Sequence, residues 1–370
     1  TLVRGHGLSM ERLRRLVLGM VVALGLLAVL EFALRLALGP PPPPVRVYSA
    51  LGEPERNLVA QDGRISTPYI EIDPPSIAEA ATGPRCAVLG GSSVHGGSPV
   101  HHSQEFPALL GKALGIDVVN LASPGLDSFD MLRVVDDMVQ WKWACVVLYG
   151  PHNDFGNAVF QERFGSPLGA LGAHGNAFLG RFQLYAQLGR AMNASGRARS
   201  KQWVSSMEGG LYGARRATAL DYLVANHRRM VWTARRAGIA TVVVSPVADI
   251  TAVPGVDCAT GECAGSVYRE AVRLADIDPY RAASLLRRAR DIDPVALRAP
   301  TEAGDRLRAM CEEEGAVYAD VERLLPEDSA LPVPSGDLFV DPVHFSAAGH
   351  RAMAVALEPF VARAAFGAAR

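Results

Sequence analysis

Short apolar runs that alternate with amphipathic stretches constrain this chain more than any other feature. Cys86–Leu89, Asp117–Leu121, Ala144–Tyr149, Ala240–Ser245 and Ala316–Val321 read as strands. Gln104–Leu114, Ser128–Gln140, Arg215–Ala237 and Glu302–Glu314 carry helical periodicity, and Gly238 and Gly315 stop the last two. Ser346 is placed to N-cap a final helix running to about Ala364. Strands and helices in alternation predict a parallel sheet with helices packed on both faces.

The expected architecture over residues 85–370 is therefore α/β, a three-layer flavodoxin-like parallel sheet of five strands. Two stretches break the rhythm. Residues 155–214 are glycine-rich and only weakly helical, and are expected to cap one end of the sheet. Residues 264–300 contain an echo, Ala275-Asp276-Ile277-Asp278-Pro279 against Arg290-Asp291-Ile292-Asp293-Pro294, with a short helix expected over Tyr280–Arg290. A stacked repeat array needs about three units. One echo fits a helical insertion instead.

Ahead of this domain, Leu16–Gly39 is apolar except for Glu31 and Arg35. At 1.5 Å per residue it is long enough to cross a hydrocarbon core of about 30 Å. Arg12, Arg14 and Arg15 precede it and Pro40–Pro44 follow it. The positive-inside rule then makes residues 1–15 a cytoplasmic tail, 16–39 a transmembrane helix, and everything beyond extracytoplasmic. A cleaved signal peptide is the rival, but the run exceeds the usual h-region and no clean A-x-A site precedes the prolines. Glu31 and Arg35 lie four apart on one helix face and can pair. Residues 40–84 read as a proline-rich spacer and an extended lead-in. The chain begins at Thr1, and Met10 is an alternative start.

With 37 Lys+Arg against 38 Asp+Glu, the net charge of −1 counts against a nucleic-acid binder. Five cysteines are too few for a disulfide scaffold. Cys258 and Cys263 bracket a polar loop, and outside the cytoplasm a disulfide between them is expected. Cys86 and Cys145, in apolar strands, and Cys311, on a helix, read as core residues.

Four segments carry chemistry. Gly90-Gly91-Ser92-Ser93-Val94-His95-Gly96-Gly97 follows a strand, where open α/β sheets place their ligands, and its glycines permit a sharp turn. Taken alone it is most simply a turn. Asn120-Leu121-Ala122-Ser123-Pro124-Gly125 ends the second strand, with Gly125 able to present a backbone N–H. Val146–Tyr149 runs into Gly150-Pro151-His152-Asn153-Asp154, where an asparagine amide at a strand end suits a developing oxyanion; local Asn-Asp turn bonds are the bland alternative. Asp341-Pro342-Val343-His344 sets a carboxylate three residues before a histidine, able to orient an imidazole and stabilise its cation. A helix-entry loop with a surface aspartate is the plainer account.

Together, in this order, the four segments resemble the SGNH (GDSL-type) hydrolase superfamily, and the anchor with its Glu31/Arg35 pair looks like that of its membrane-bound bacterial branch. The resemblance covers about Arg85 to Ala364. It implies that Ser92 is the nucleophile, His344 the base and Asp341 its orienting acid. It further implies an oxyanion hole from Ser92, Gly125 and Asn153. Two departures stand out: Gly91 occupies a position where the family usually has aspartate, and Gly150 lies one residue earlier than in the usual G-x-N-D. Ser93 is an adjacent fallback hydroxyl. His95, His152 and Asp154 flank the blocks and are expected near substrate.

No H-E-x-x-H or regular His/carboxylate spacing appears, so no metal is expected, and the glycines lack the Lys-Ser/Thr of a phosphate loop. No cofactor is expected. The resemblance implies a membrane-anchored serine esterase or acyl hydrolase acting on an ester-bearing lipid or polysaccharide outside the cytoplasm. An O-acyltransferase on envelope polysaccharide would use the same triad. A non-catalytic envelope binding protein that keeps the fold is the competing class.

Overall fold

The computed structural model describes residues 10–38, 83–95, 100–139, 142–158, 182–184, 212–254, 263–293, 298–325 and 331–367, with four short strands between 46 and 66. The chain divides into two compact units, residues 1–44 with 174–199, and the remainder.

In the first unit, α1 (Met10–Leu38) contains a window, Val17–Leu38, with mean hydropathy 2.5 and no part buried. The Arg35 Nε donates to Glu31 at 2.6 Å, as the four-residue spacing predicts. The Glu31 carboxylate also accepts the backbone N–H groups of Gln183 and Leu184, at 2.8 and 2.9 Å. Of residues 155–214, expected from sequence to cap one end of the sheet, all but 155–158, 182–184 and 212–214 lie outside the described residues. The prolines at 40–44 lie outside the described residues.

In the second unit the lead-in is not plainly extended. β1 (Arg46–Tyr48) pairs antiparallel with β2 (Pro54–Arg56), and β3 (Val59–Gln61) with β4 (Arg64–Ser66). The main sheet follows, from β5 (Arg85–Gly90), β6 (Asp117–Asn120), β7 (Cys145–Tyr149), β8 (Ala240–Val244) and β9 (Val317–Ala319). All its pairings are parallel and the order is β6-β5-β7-β8-β9. This order is that of a flavodoxin-like sheet, the architecture expected from the sequence. Its reversal point lies at β5 and β7, where such sheets open a crevice beyond the strand ends.

The strand pleat sorts the core into two layers. Ala87, Leu89, Val146, Leu148 and Val243 face one side, covered by α4 (Ser128–Met138), α6 (Tyr212–Arg236) and α9 (Thr301–Glu314). Cys86, Val88, Val147, Tyr149, Val242 and Val244 face the other, covered by α3 (Phe106–Leu114) and α11 (Ala347–Phe366). Ser346 caps α11 as expected, its hydroxyl accepting the Gly349 N–H at 3.1 Å. Beyond the ends of β5 and β7 lie two short helices that the sequence patterns did not suggest, α2 (Ser92–His95) and α5 (Pro151–Ala158).

Cys86 and Cys145 are core residues, but they are also joined. They sit opposite one another in neighbouring strands, with Cα atoms 4.6 Å apart, and form a disulfide. A separation of 59 residues hides this pairing from any local reading. Cys263 is disulfide-bonded too, while Cys258, its expected partner, lies outside the described residues. Cys311 is free and buried.

The insertion at 264–300 holds two helices packed on each other, α7 (Ala264–Leu274) and α8 (Pro279–Ile292). The first half of the echo starts α8: Asp278 caps it by accepting the Arg281 N–H, and Pro279 occupies its first turn. A small core of Ile250, Ala271, Ala283, Leu286 and Val333 fastens the pair to the loops after β8 and before α11.

Candidate active site

Ser92 opens α2 immediately beyond β5, the sheet's second strand in spatial order. Its N–H lies in the first helical turn, where no intrahelical carbonyl exists to accept it. The second segment is laid alongside by backbone bonds, Leu121 N–H to Val88 O at 2.8 Å and Ser123 N–H to Gly90 O at 3.1 Å. Gly125 has φ 78°, and Leu126 N–H donates to Ser123 O at 3.3 Å. Proline followed by a left-handed glycine in that turn is the type II pattern.

β7 delivers the third segment. The residue after the strand is Gly150, and Pro151 begins α5, so Asn153 stands in the first turn of a helix and not in an Asn-Asp turn. Its amide nitrogen donates to the Leu126 carbonyl at 2.7 Å, leaving a second N–H on the same nitrogen. Gly91 explains its own identity. A Cβ there would lie 2.2 Å from Asn153 Nδ2, so a side chain at 91 would displace that amide.

The fourth segment arrives from the C-terminal side. Phe339 and Phe345 form an antiparallel bridge, their rings stack at 5.3 Å, and Val340 N–H donates to His344 O at 2.9 Å. The loop so closed presents Asp341 and His344. The carboxylate accepts the N–H of Val343 at 2.9 Å and of His344 at 2.8 Å, and its other oxygen lies 2.6 Å from His344 Nδ1. His344 Nε2 lies 2.7 Å from Ser92 Oγ. Because a carboxylate only accepts, Nδ1 carries the proton and Nε2 is the acceptor facing the hydroxyl. Partial burial works to raise the Asp341 pKa. The bonds from Val343, His344 and the imidazole outweigh it and hold the carboxyl below its ordinary value.

These groups line a cleft of about 260 Å³, with Gly91, Ser93, Gly150, His152, Gly156, Pro342 and Val343 completing its walls. His152 is at the cleft as expected, yet both its ring nitrogens are engaged. Nδ1 accepts the Ala299 N–H at 3.0 Å, so Nε2 bears the proton and donates to the Val247 carbonyl at 2.9 Å. Burial pushes its pKa down to about 4, against the pull of the Val247 bond, and Arg290, His344 and Arg298 push it lower. It is a neutral wall.

Gly125, His95 and Asp154 are not among the lining residues described. The Gly125 carbonyl accepts from Asn157 Nδ2 at 3.2 Å, tying its turn to α5. His95 is buried with Nδ1 4.0 Å from Glu105. Asp154 is fully buried and accepts the N–H and hydroxyl of Ser128, at 2.9 and 2.5 Å. It anchors the start of α4 and does not reach the cleft, because helical geometry turns it away from its neighbour Asn153. The described residues contain no cluster able to hold a metal ion.

A family model for GDSL-like lipases and acylhydrolases matches residues 88–352, which include every residue of this cleft. The chain belongs to that family. It is an acylhydrolase of the SGNH type, acting on ester bonds. No curated protein matches it. Solved structures similar to this acylhydrolase include a lipolytic protein of the G-D-S-L family from Desulfitobacterium hafniense, at 12% identity, covering 76% of this chain and 98% of that one with a TM-score of 0.38. Another is a GDSL-like lipase from Bacteroides thetaiotaomicron, at 13% identity, 76% and 88% coverage and a TM-score of 0.40. A third is an acetyl-xylooligosaccharide esterase variant from Geobacillus Stearmophilus, at 16% identity, 74% and 92% coverage and a TM-score of 0.39.

Sequence reasoning about this acylhydrolase missed the Leu126 carbonyl that holds Asn153, the closeness of Gly91 to that amide, and the engagement of both His152 nitrogens. Only Gly91 left a signal, as a departure from the family pattern beside the serine.

Proposed function

We propose that this acylhydrolase is a membrane-anchored serine esterase with Ser92 as nucleophile, His344 as general base and Asp341 as its orienting acid. The unbroken chain from Ser92 Oγ through the imidazole to the carboxylate, at 2.7 and 2.6 Å, carries the reading.

A serine hydroxyl is a weak nucleophile until a base accepts its proton. As Ser92 Oγ attacks the ester carbonyl, its proton passes to His344 Nε2. Asp341, ionised by its hydrogen bonds, stabilises the imidazolium that results. The carbonyl oxygen becomes an oxyanion, met by the Ser92 N–H and the second N–H of Asn153; the third donor implied by the family resemblance, Gly125 N–H, is outside the described lining of the cleft. Each such donor is worth about 2.7–4 kcal/mol of barrier. The imidazolium then protonates the departing alcohol. Water, deprotonated by the same nitrogen, attacks the acyl-serine and frees the acid.

The anchor is α1, whose apolar window has no buried residue and follows Arg14 and Arg15. The rest then lies outside the cytoplasm. Disulfides at Cys86–Cys145 and at Cys263 support this side, since such bonds persist in oxidising compartments. An ester-bearing lipid or polysaccharide near the membrane surface is the substrate that follows.

Ser92→Ala tests the assignment. Turnover of short-chain esters and covalent labelling by a fluorophosphonate should both vanish, kcat falling about 10⁶-fold, while stability stays within about 1 kcal/mol. Retained activity in that variant refutes the assignment.

A further inference from the structure

The end of the helical insertion touches both halves of the cleft. Arg298 is nearly fully buried, and its Nη1 donates to the carbonyls of Asp249 at 2.9 Å and Ala252 at 3.0 Å, in the loop after β8. Its Nη2 lies 3.7 Å from the buried carboxylate of Asp293, at the end of α8. That same loop returns a bond to the acid–base segment: Asp249 N–H donates to Pro342 O at 2.9 Å, between Asp341 and His344. The next residue along, Ala299, donates its N–H to His152 Nδ1 at 3.0 Å, and His152 immediately precedes Asn153. The second His152 nitrogen holds Val247, two residues before Asp249.

We propose that Arg298 and His152 are positioning residues. Through them the insertion at 264–300 sets the distance between the Asn153 end of the cleft and the Asp341–His344 loop. Neither touches the reacting atoms. A guanidinium spanning two carbonyls fixes the post-β8 loop whose Asp249 N–H holds Pro342, and a neutral imidazole with one donor and one acceptor fixes the start of α5. The helical insertion, which no step of the chemistry uses, thereby acquires a role in it. This rests on the Ser92–His344–Asp341 reading.

The test uses the full chain and measures kcat, KM and melting for Arg298→Met, Arg298→Lys, His152→Phe and the Arg298→Met/His152→Phe double variant. Displacing a catalytic group by about 1 Å costs on the order of 10²-fold in rate. Arg298→Met and His152→Phe should each lower kcat by about that factor with KM within about threefold. Arg298→Lys, which keeps the charge and one donor direction, should recover part of the loss. In the double variant the losses should fall short of multiplying, because both act through one segment. Folded Arg298→Met and His152→Phe with wild-type kcat, whatever their melting temperatures, overturn the proposal. If Arg298→Met does not fold, His152→Phe and Arg298→Lys carry the same test. Undiminished activity in Ser92→Ala marks failure of the underlying reading, which is told apart from failure of the strut by that variant alone.

Discussion

The two sides of the cleft are built differently. Ser92 and Asn153 stand in the first turns of the helices that follow β5 and β7, strands buried along their whole length between two helical layers. Asp341 and His344 sit in a loop, with side chains 44% and 29% exposed. The first side is positioned by the sheet itself, and its details are steric: a missing Cβ at Gly91 and one amide bond to Leu126. The second is positioned by a few hydrogen bonds, the Phe339–Phe345 bridge, and Phe345 lying 6.1 Å from the Tyr149 ring at the end of β7. One half of the chemistry is thus inherited from the fold and the other is assembled by contacts far apart in sequence. The second half is also where proton direction matters, so it should fail by electrostatics where the first fails by crowding.

Asp341→Asn is the sharper probe of the loop side. The amide can still accept the Val343 and His344 N–H groups, so the loop keeps its shape. Its NH₂, however, donates toward His344 Nδ1 and drives the ring proton to Nε2, where it can no longer accept from Ser92. A loss of about 10⁴-fold in kcat with little change in melting is expected. A loss below tenfold would mean that the carboxylate does not set the tautomer. On the sheet side, Gly91→Ala needs no charge change at all. The new methyl forces the Asn153 amide from its place, and a fall in kcat of about 10²–10³-fold follows, the cost of one oxyanion donor. An alanine variant with full kcat would show that Asn153 contributes nothing from its present position.

The same contrast explains what was legible in the sequence. The five strands, the helices on both sides of the sheet and the placement of Ser92 and Asn153 just beyond strands follow from local patterns, because apolar period and glycine placement act over a few residues. The Asp341–His344 pair was legible too, since an i,i+3 spacing lies within one loop. What joins segments distant in sequence was not. Arg298 to Asp249, Ala299 to His152 and Cys86 to Cys145 are contacts between segments 49, 147 and 59 residues apart. Nothing in the local chemistry of an arginine, a backbone N–H or a strand cysteine names its partner. Asp154 misled for the opposite reason: adjacency in sequence to Asn153 suggested a shared role, and one helical step turned it into the core.

The smallest expected effect concerns stability in acid, and it separates the sheet side from the loop side by pH window. His152, His227 and His350 are buried, and burial pushes the pKa of each from 6.5 down to about 4. Between those values the unfolded chain binds protons that the folded chain refuses, so stability falls as pH drops from about 6.5 toward 4. Asp341 acts with the same sign but in a lower window. Its carboxyl is held below 3.8, so its contribution is present above that value and is lost only as pH falls further. Melting measured from pH 7 to 4 should therefore decline, with these three histidines contributing through that window. His227, on α6 with Nδ1 2.8 Å from the Leu223 carbonyl, lies outside the cleft and isolates the effect. His227→Asn should flatten the slope by up to about 1.4 kcal/mol per pH unit within that window, leaving kcat unchanged. An unaltered slope would mean that His227 is protonated alike in both states, and that the core under α6 is more open to solvent than its packing implies.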